Sequence, residues 1–178
     1  MSLSIKPIIL MAQSGQPRKH DSRADEIRQA IAYATASEAI SLIENGDVDV
    51  LDGESRTPLI HAAVAGKVEL LSWLIEHRAD IDHQDRNGLS ALHYAVQEKH
   101  IEAVRALLAN SAAIDSKDMH GNTPLWRATF GARGNYDLVR LLVHHGANPH
   151  SKNNSDRSPL NFAQQIGDEH LIAALKNG

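Results

Sequence analysis

A short segment recurs along the chain at nearly constant spacing, and this periodicity constrains the fold more than any other feature. The starting positions 57, 90 and 123 are 33 residues apart, and the last start follows at 158 after 35 residues. Units of this length cannot bury an apolar face alone, so they stack on one another into an elongated array. The four segments begin Thr57-Pro58-Leu59, Ser90-Ala91-Leu92, Thr123-Pro124-Leu125 and Ser158-Pro159-Leu160.

Each segment has the features of a helix start. A hydroxyl residue can accept a hydrogen bond from the first turn, and the proline or alanine after it needs no N–H partner. Ala62 and its equivalents leave room for a second helix to approach closely. A second apolar stripe follows in every unit, as at Leu70, Leu71 and Leu74. Each unit is therefore predicted to be a pair of helices, and the fold class to be all-α.

Polar turns separate the units. Asp52, Asp85, Asp118 and Asn153 begin these turns, and their side chains can accept hydrogen bonds from the following backbone. Glycine stands three residues later at 88 and 121, where a left-handed conformation is required. Ser55 and Asp156 replace it in the other two turns, which we therefore expect to be looser.

The helix ends also show a pattern. Glycine occupies the expected left-handed position at the ends of three helices, at 46, 66 and 146, whereas other residues occupy the matching positions elsewhere. Since a non-glycine residue there is strained, we expect these three sites to be stability defects. They are Arg78, Lys99 and Ser111.

The repeat pattern predicts five units at residues 22–46, 47–79, 80–112, 113–147 and 148–178. In the first unit, Ser22 and Ser37 are the predicted helix caps, and Glu38 and Ser41 stand where later units are apolar. It therefore suits a solvent-facing end unit, as does the polar final unit. The fourth unit carries a two-residue insertion within residues 131–135, between its helices.

Residues 1–21 lie outside the repeat and are predicted to form a tail. The apolar stretch at 8–11 is too short for a secretory signal and follows Pro7. Two alternatives remain open: Met11 is the true start of the chain, or residues 5–10 pack against the first unit as a short strand or arm.

Composition excludes several classes of function. The chain of 178 residues has no cysteine, which rules out disulfides and thiolate chemistry and fits a reducing compartment such as the cytoplasm. A net charge of −4 provides no basic field for nucleic acid. No apolar run approaches the roughly 20 residues of a membrane span. We expect one domain that binds neither nucleic acid nor membrane.

Catalytic and metal-binding patterns are also missing from the sequence. The eleven histidines show no same-face pairing with a carboxylate of the kind that zinc sites use. Asp80, Asp82 and Asp85 lack the glycine and glutamate of a calcium loop at their proper offsets. His93, three residues into its helix, can instead bond back to Ser90 as a structural residue. We predict no enzyme, no cofactor and no catalytic or metal site.

The Thr-Pro-Leu-His-x-Ala-like starts and the 33-residue period resemble the ankyrin repeat over residues 22–178. The resemblance implies a solenoid of about five helix-turn-helix repeats with finger loops. It also implies a protein partner, bound by the finger tips and the concave side of the first helices. We expect a cytoplasmic protein that is a monomer until it binds. Residues 121–163 more weakly resemble small bacterial ankyrin proteins that include toxin-immunity proteins, so a scaffold and a toxin inhibitor both remain open.

Carried over by repeat position, this resemblance gives ten candidate contacts. The fourth unit is predicted to hold the centre of binding, because it combines Met119, Trp126, Phe130 and the Arg133 loop with the insertion. The competing interpretation is that Trp126 and Phe130 are buried between neighbouring units. The full set of candidate partner-binding residues is Arg56, Val64, Arg86, Leu89, Met119, His120, Trp126, Phe130, Arg133 and Arg157.

Overall fold

The computed structural model describes residues 22–44 and 47–177, and this part of the chain is all-α. The predicted tail at 1–21 and the predicted left-handed Gly46 lie outside the described residues. So does the side chain of Ser22, the predicted cap of the first helix. The described helices are α1 (Ser22–Tyr33), α2 (Ala36–Ile43), α3 (Pro58–Ala65), α4 (Val68–Glu76), α5 (Ala91–Gln97), α6 (Ile101–Ala109), α7 (Pro124–Phe130), α8 (Asp137–His144), α9 (Pro159–Ile166) and α10 (Glu169–Asn177).

The helices form two stacked layers. Helices α1, α3, α5, α7 and α9 pack side by side in chain order and make the inner layer. Helices α2, α4, α6, α8 and α10 make the outer layer, in which α6 and α8 are the neighbours that pack least closely. One apolar core runs between the layers through all five helix pairs. The predicted all-α repeat solenoid is confirmed. None of the described helices is long and apolar enough to cross a membrane.

The predicted helix starts are confirmed in the four later units. The Thr57, Thr123 and Ser158 hydroxyl groups each accept a hydrogen bond from the third residue of the helix, at 3.2–3.3 Å. In the first unit the prediction of Ser37 is wrong. Thr35 caps α2 instead, because it forms reciprocal hydrogen bonds with Glu38.

The Ser90 cap is completed by a histidine. The Ser90 backbone N–H donates to Nδ1 of His93 at 3.2 Å, as predicted. Nε2 of His93 then donates to the Asn122 carbonyl at 3.2 Å, in the turn before α7. The ring is fully buried. His93 therefore joins its own helix start to the next unit.

The turns between units, the fingers, close in the predicted way. Asp85 Oδ1 accepts from the backbone N–H groups of Asn87 and Leu89 at 2.8 and 2.9 Å, and the other three fingers repeat this pattern. Ser55 and Asp156 adopt φ of 60° and 58° and keep the turn hydrogen bond, so these fingers close with the same geometry as the glycine-containing ones. Neighbouring fingers also share backbone hydrogen bonds of 2.8–3.1 Å.

The strained helix ends are confirmed as well. Arg78, Lys99 and Ser111 have φ of 65°, 61° and 63°, close to the 66° of Gly66. Gly146 ends α8 with φ of 93°. Side chains therefore occupy a left-handed conformation that glycine adopts more easily.

Candidate functional site

Three aromatic rings meet on the inner layer where α7 packs against α9. The centroid of Phe162 lies 5.8 Å from that of Trp126 and 5.5 Å from that of Phe130. The Arg157 guanidinium group lies 5.9 Å from the Trp126 centroid and 5.7 Å from that of Phe162. Such ring pairs and cation–π contacts hold side chains in defined positions. We call Trp126, Phe130, Phe162 and Arg157 the aromatic cluster.

This cluster is open to solvent. Phe130 is 67% exposed, and Ile166 at the end of α9 is 53% exposed. Trp126 and Phe162 are half-buried. Large apolar side chains gain little for folding when they remain in water, and grouped ones mark interaction surfaces. The burial interpretation is therefore wrong for Phe130 and holds in part for Trp126.

An ion pair fixes the side chain next to the cluster. Arg127 donates to Asp118 Oδ2 at 2.5 Å and to Gln97 Oε1 at 2.8 Å. Burial raises the pKa of Asp118, but hydrogen bonds from the Asn122 backbone and from Arg127 outweigh it, so the pKa lies below its usual value. Asp118 therefore stays charged and holds Arg127 in place at neutral pH.

A pocket of about 540 Å³ lies beside the cluster, between the third and fourth helix pairs. Its walls are mostly apolar, and Trp126 and Phe130 belong to both the pocket wall and the cluster. A cavity of this size with few polar groups has the usual properties of a binding pocket. The apolar walls comprise Val96, Ile101, Trp126, Phe130, Ala132 and Leu138.

A comparison with known families identifies this architecture. A family model described as ankyrin repeats (3 copies) matches residues 27–118 and 78–153, which together are more than half of the chain. The chain belongs to the ankyrin-repeat family. Ankyrin repeats are in general protein-interaction modules and in general not catalytic. No match was found among curated proteins.

Besides Arg157 of the aromatic cluster, the ankyrin fingers expose three of the predicted contact residues. Arg86, Met119 and His120 are exposed, and Met119 retains 59% of its surface. Arg56 is half-buried: its guanidinium group lies 5.5 Å from the Tyr94 ring centroid and its Nε 3.6 Å from Asp85. Arg56 thus joins two repeats, and its role as a partner contact stays a prediction.

Two predicted contact residues pack against the apolar core of the repeats. Leu89 is 9% exposed, so its prediction as an accessible contact is wrong: it packs in the core beside the start of α5. Val64 is half-buried against the same core, and its carbonyl lies 3.1 Å from Nε2 of His100 in the next repeat. Neither side chain offers the open surface that the finger and helix-end positions suggested.

The residues of the predicted centre of binding follow α7 from the preceding finger to the inserted loop. Trp126 and Phe130 lie together, and exposed Arg133 follows in the inserted loop. Met119 lies in the finger that precedes α7, where its carbonyl accepts from Nδ2 of Asn154 at 3.1 Å. The site prediction omitted Phe162, although its repeat position is equivalent to that of Arg127 beside Trp126. It also omitted Tyr33, which is 91% exposed at the end of α1.

The described residues contain no group of three or more histidine, cysteine, aspartate or glutamate side chains placed to hold a metal ion. The most buried histidine, His93, already uses both ring nitrogens in structural hydrogen bonds. The geometry of the described part thus presents an apolar and cationic surface rather than a set of converging acid and base groups.

Proposed function

We propose that this protein binds a protein partner through the inner layer of its fourth and fifth repeats, without catalysis. The observation that carries the proposal is Phe130, a phenylalanine that is 67% exposed yet held 5.5 Å from Phe162. Protein interfaces concentrate their binding energy in ordered aromatic and arginine side chains near the centre of the contact. Phe130, Trp126 and Arg157 provide such a group.

The remaining parts of the proposal rest on composition. A net charge of −4 disfavours nucleic acid as the partner. The lack of cysteine suits the cytoplasm. We infer a monomer in the free state, whose exposed fingers add specificity through Arg86, Met119 and His120.

The finer alternative is a bacterial immunity protein that neutralises a toxin. It is supported by the resemblance of residues 121–163 to small bacterial ankyrin proteins, a segment that includes both the insertion and the whole aromatic cluster. The two alternatives predict the same surface but different affinities. An inhibitor must bind with a nanomolar or lower dissociation constant, and a toxin gene should neighbour its own.

The test is a titration of the purified partner, identified by cross-linking in the native host, against Phe130→Ala. We expect the affinity to fall at least about tenfold, because truncating a hot-spot aromatic residue costs about 2 kcal/mol or more and a tenfold change corresponds to about 1.4 kcal/mol. Tyr33→Ala is the matched control, since Tyr33 is an exposed aromatic residue at the distant end of the inner layer. It should bind like the unmodified protein.

Far-UV circular dichroism and the denaturation midpoint of both variants establish that they are folded. If Phe130→Ala binds normally while Tyr33→Ala does not, the partner docks at the first repeats and the proposed centre is wrong. Normal binding by both variants places the contact elsewhere on the molecule.

A further inference from the structure

The space between the third and fourth repeats is open because one side chain does not cross it. We call the space between two neighbouring repeats a junction and number the junctions in chain order. At the first two junctions, the residue just before the outer helix reaches back across the junction. Lys67 donates to the Ala34 carbonyl, and Nε2 of His100 lies 3.1 Å from the Val64 carbonyl. The His100 ring fills its junction so fully that a Cβ on Gly66 would lie 2.7 Å from it.

By repeat spacing, Asn135 is the equivalent residue at the third junction, although Tyr136 stands between it and α8. It precedes the left-handed Gly146 by the same eleven residues that separate His100 from Ser111. Its side-chain oxygen instead accepts from the Asp137 backbone N–H at 3.0 Å, within its own repeat. The next residue, Tyr136, turns towards the fifth repeat. No described side chain replaces the missing contact, and the inserted loop leaves the junction open.

The opening has a volume of about 540 Å³, within the usual range for pockets that bind ligands. The weak packing of α6 against α8 belongs to the same junction. We therefore attribute the pocket to the insertion and to Asn135, since the His100 ring occupies the corresponding space at the second junction.

The polar groups of this pocket favour a negatively charged occupant. The Lys99 ammonium group makes no ion pair with any described residue, and Arg127 Nε is buried without a hydrogen-bond partner. The one carboxylate on the pocket wall, Asp137, lies 3.6 Å from Arg140. A carboxylate entering the pocket would meet the Lys99 side chain, a cation without an ion-pair partner among the described residues.

We propose that this pocket receives one large apolar side chain of the protein partner, aromatic or leucine-sized, from a segment that carries a carboxylate beside it. This inference rests on the proposed function. A protein segment fits better than a free metabolite because Trp126 and Phe130 line the pocket and also form the exposed cluster. An occupant of the pocket thus continues onto an open surface, as an interface anchor does.

The first test uses N-acetyltryptophan as the probe, since it combines an aromatic side chain with a carboxylate. We expect shifts in the backbone NMR signals of Val96, Ala128 and Ala132, with a dissociation constant on the order of 1 mM. Tryptamine, which has the ring and an opposite charge, should bind several-fold more weakly. Acetate alone should give no shift at these residues. Equal shifts with tryptamine, or none with N-acetyltryptophan, would overturn the proposal.

A reciprocal pair of variants tests the origin of the pocket. Asn135→His introduces at the third junction the side chain that fills the second, so it should abolish the probe shifts and keep or raise the denaturation midpoint. His100→Asn makes the opposite change, so it should lower the midpoint and leave probe binding at the third junction intact. Unchanged probe binding by a folded Asn135→His variant would contradict the assignment.

The purified partner separates this inference from the proposed function. We expect Asn135→His to lower the affinity for the partner at least about tenfold, as we expect of Phe130→Ala. If only Phe130→Ala weakens binding, the partner contacts the aromatic cluster, and the proposal that one of its side chains enters the pocket is wrong. If neither does, both proposals fail. A small molecule could instead copurify in the pocket and be displaced by N-acetyltryptophan. That result would overturn the proposal, because the pocket would then be a metabolite site.

Discussion

Each finger aspartate needs a hydrogen-bond donor for its second carboxylate oxygen, and different side chains provide it. In each of the first three fingers, Oδ1 accepts from the backbone and Oδ2 faces a donor on the following inner helix. A buried carboxylate oxygen without a partner costs free energy, so a donor is needed at this place. The three pairs are Asp52 with His61 at 2.9 Å, Asp85 with Tyr94 at 2.7 Å and Asp118 with Arg127 at 2.5 Å.

The last finger replaces both members of the pair. Phe162 stands at the donor position and cannot donate, and the finger begins with Asn153 instead of an aspartate. The Asn153 side-chain nitrogen donates to Asn122 Oδ1 at 2.8 Å, so no charged oxygen is left without a partner. This exchange frees the helix position for the ring that completes the aromatic cluster.

His93 should make the protein less stable in weak acid. Burial lowers its pKa to about 4, against an ordinary value of 6.5. The unfolded chain therefore takes up a proton as the pH falls below about 6.5, while the folded protein does not until about pH 4. Stability is lost across this window, and we expect about 2 kcal/mol from His93 at pH 4.5.

The check is urea denaturation at pH 7 and pH 4.5. His93→Asn should lose less stability between the two conditions, because Asn161 makes the same cap in the last repeat without titrating in this range. His150→Asn, at an exposed histidine, should match the unmodified protein. An equal loss in His93→Asn would show that His93 does not govern the acid response.

At the scale of helices and turns, the features that could be predicted are those decided within a few residues. The caps at Thr57 and Ser158 follow from a hydroxyl group and its distance to the helix. Ser37 failed as a cap because Thr35, two residues earlier, has Glu38 in position to complete the box. Leu89 failed as a surface residue because finger position alone does not reveal which way a side chain points.

The strained helix ends give a prediction at the same scale. Ser111→Gly and Arg78→Gly should each raise the free energy of unfolding by about 1 kcal/mol, since both residues hold φ above 60°. Gly146→Ser is the matched reverse change, and it should lower stability. A Cβ at Gly146 would have no atom within 4 Å, so steric contact with neighbouring residues does not contribute to the effect. Urea denaturation at neutral pH measures all three.

A fall or no change in the midpoints of Ser111→Gly and Arg78→Gly would mean that their side chains compensate for the strain. Gly66 is excluded from this comparison. Any side chain there would meet the His100 ring at 2.7 Å, and packing would then dominate the result.

At the scale of the whole molecule, the sequence could not predict where the repeats would leave space. The insertion at 131–135 was evident, but the pocket depends on Asn135 bonding within its own repeat rather than across the junction. Phe162 likewise acquires its role only when α9 packs beside α7. Both the pocket and the role of Phe162 depend on contacts between units. The repeat period predicts which units are neighbours, but it does not predict the directions of these side chains.

The same junction should divide the array when it unfolds. A repeat protein is stabilised by its units and by the interfaces between neighbours, and the outer helices of the third interface pack least closely. We therefore expect native-state hydrogen exchange to give different opening free energies for α1–α6 and α7–α10. Leu74→Ala, at a fully buried position in α4, should cost about 2–5 kcal/mol and lower protection mainly in α1–α6.

Leu175→Ala makes the matched change in α10, at a residue that is 1% exposed, and it should lower protection mainly in α7–α10. Because the inner helices α5 and α7 remain packed together, some effect should cross the junction in both cases. Mass spectrometry of the exchanged peptides reports the two halves separately. If either substitution lowers protection equally from α1 to α10, the array opens as one cooperative unit, and the pocket does not weaken the coupling between its halves.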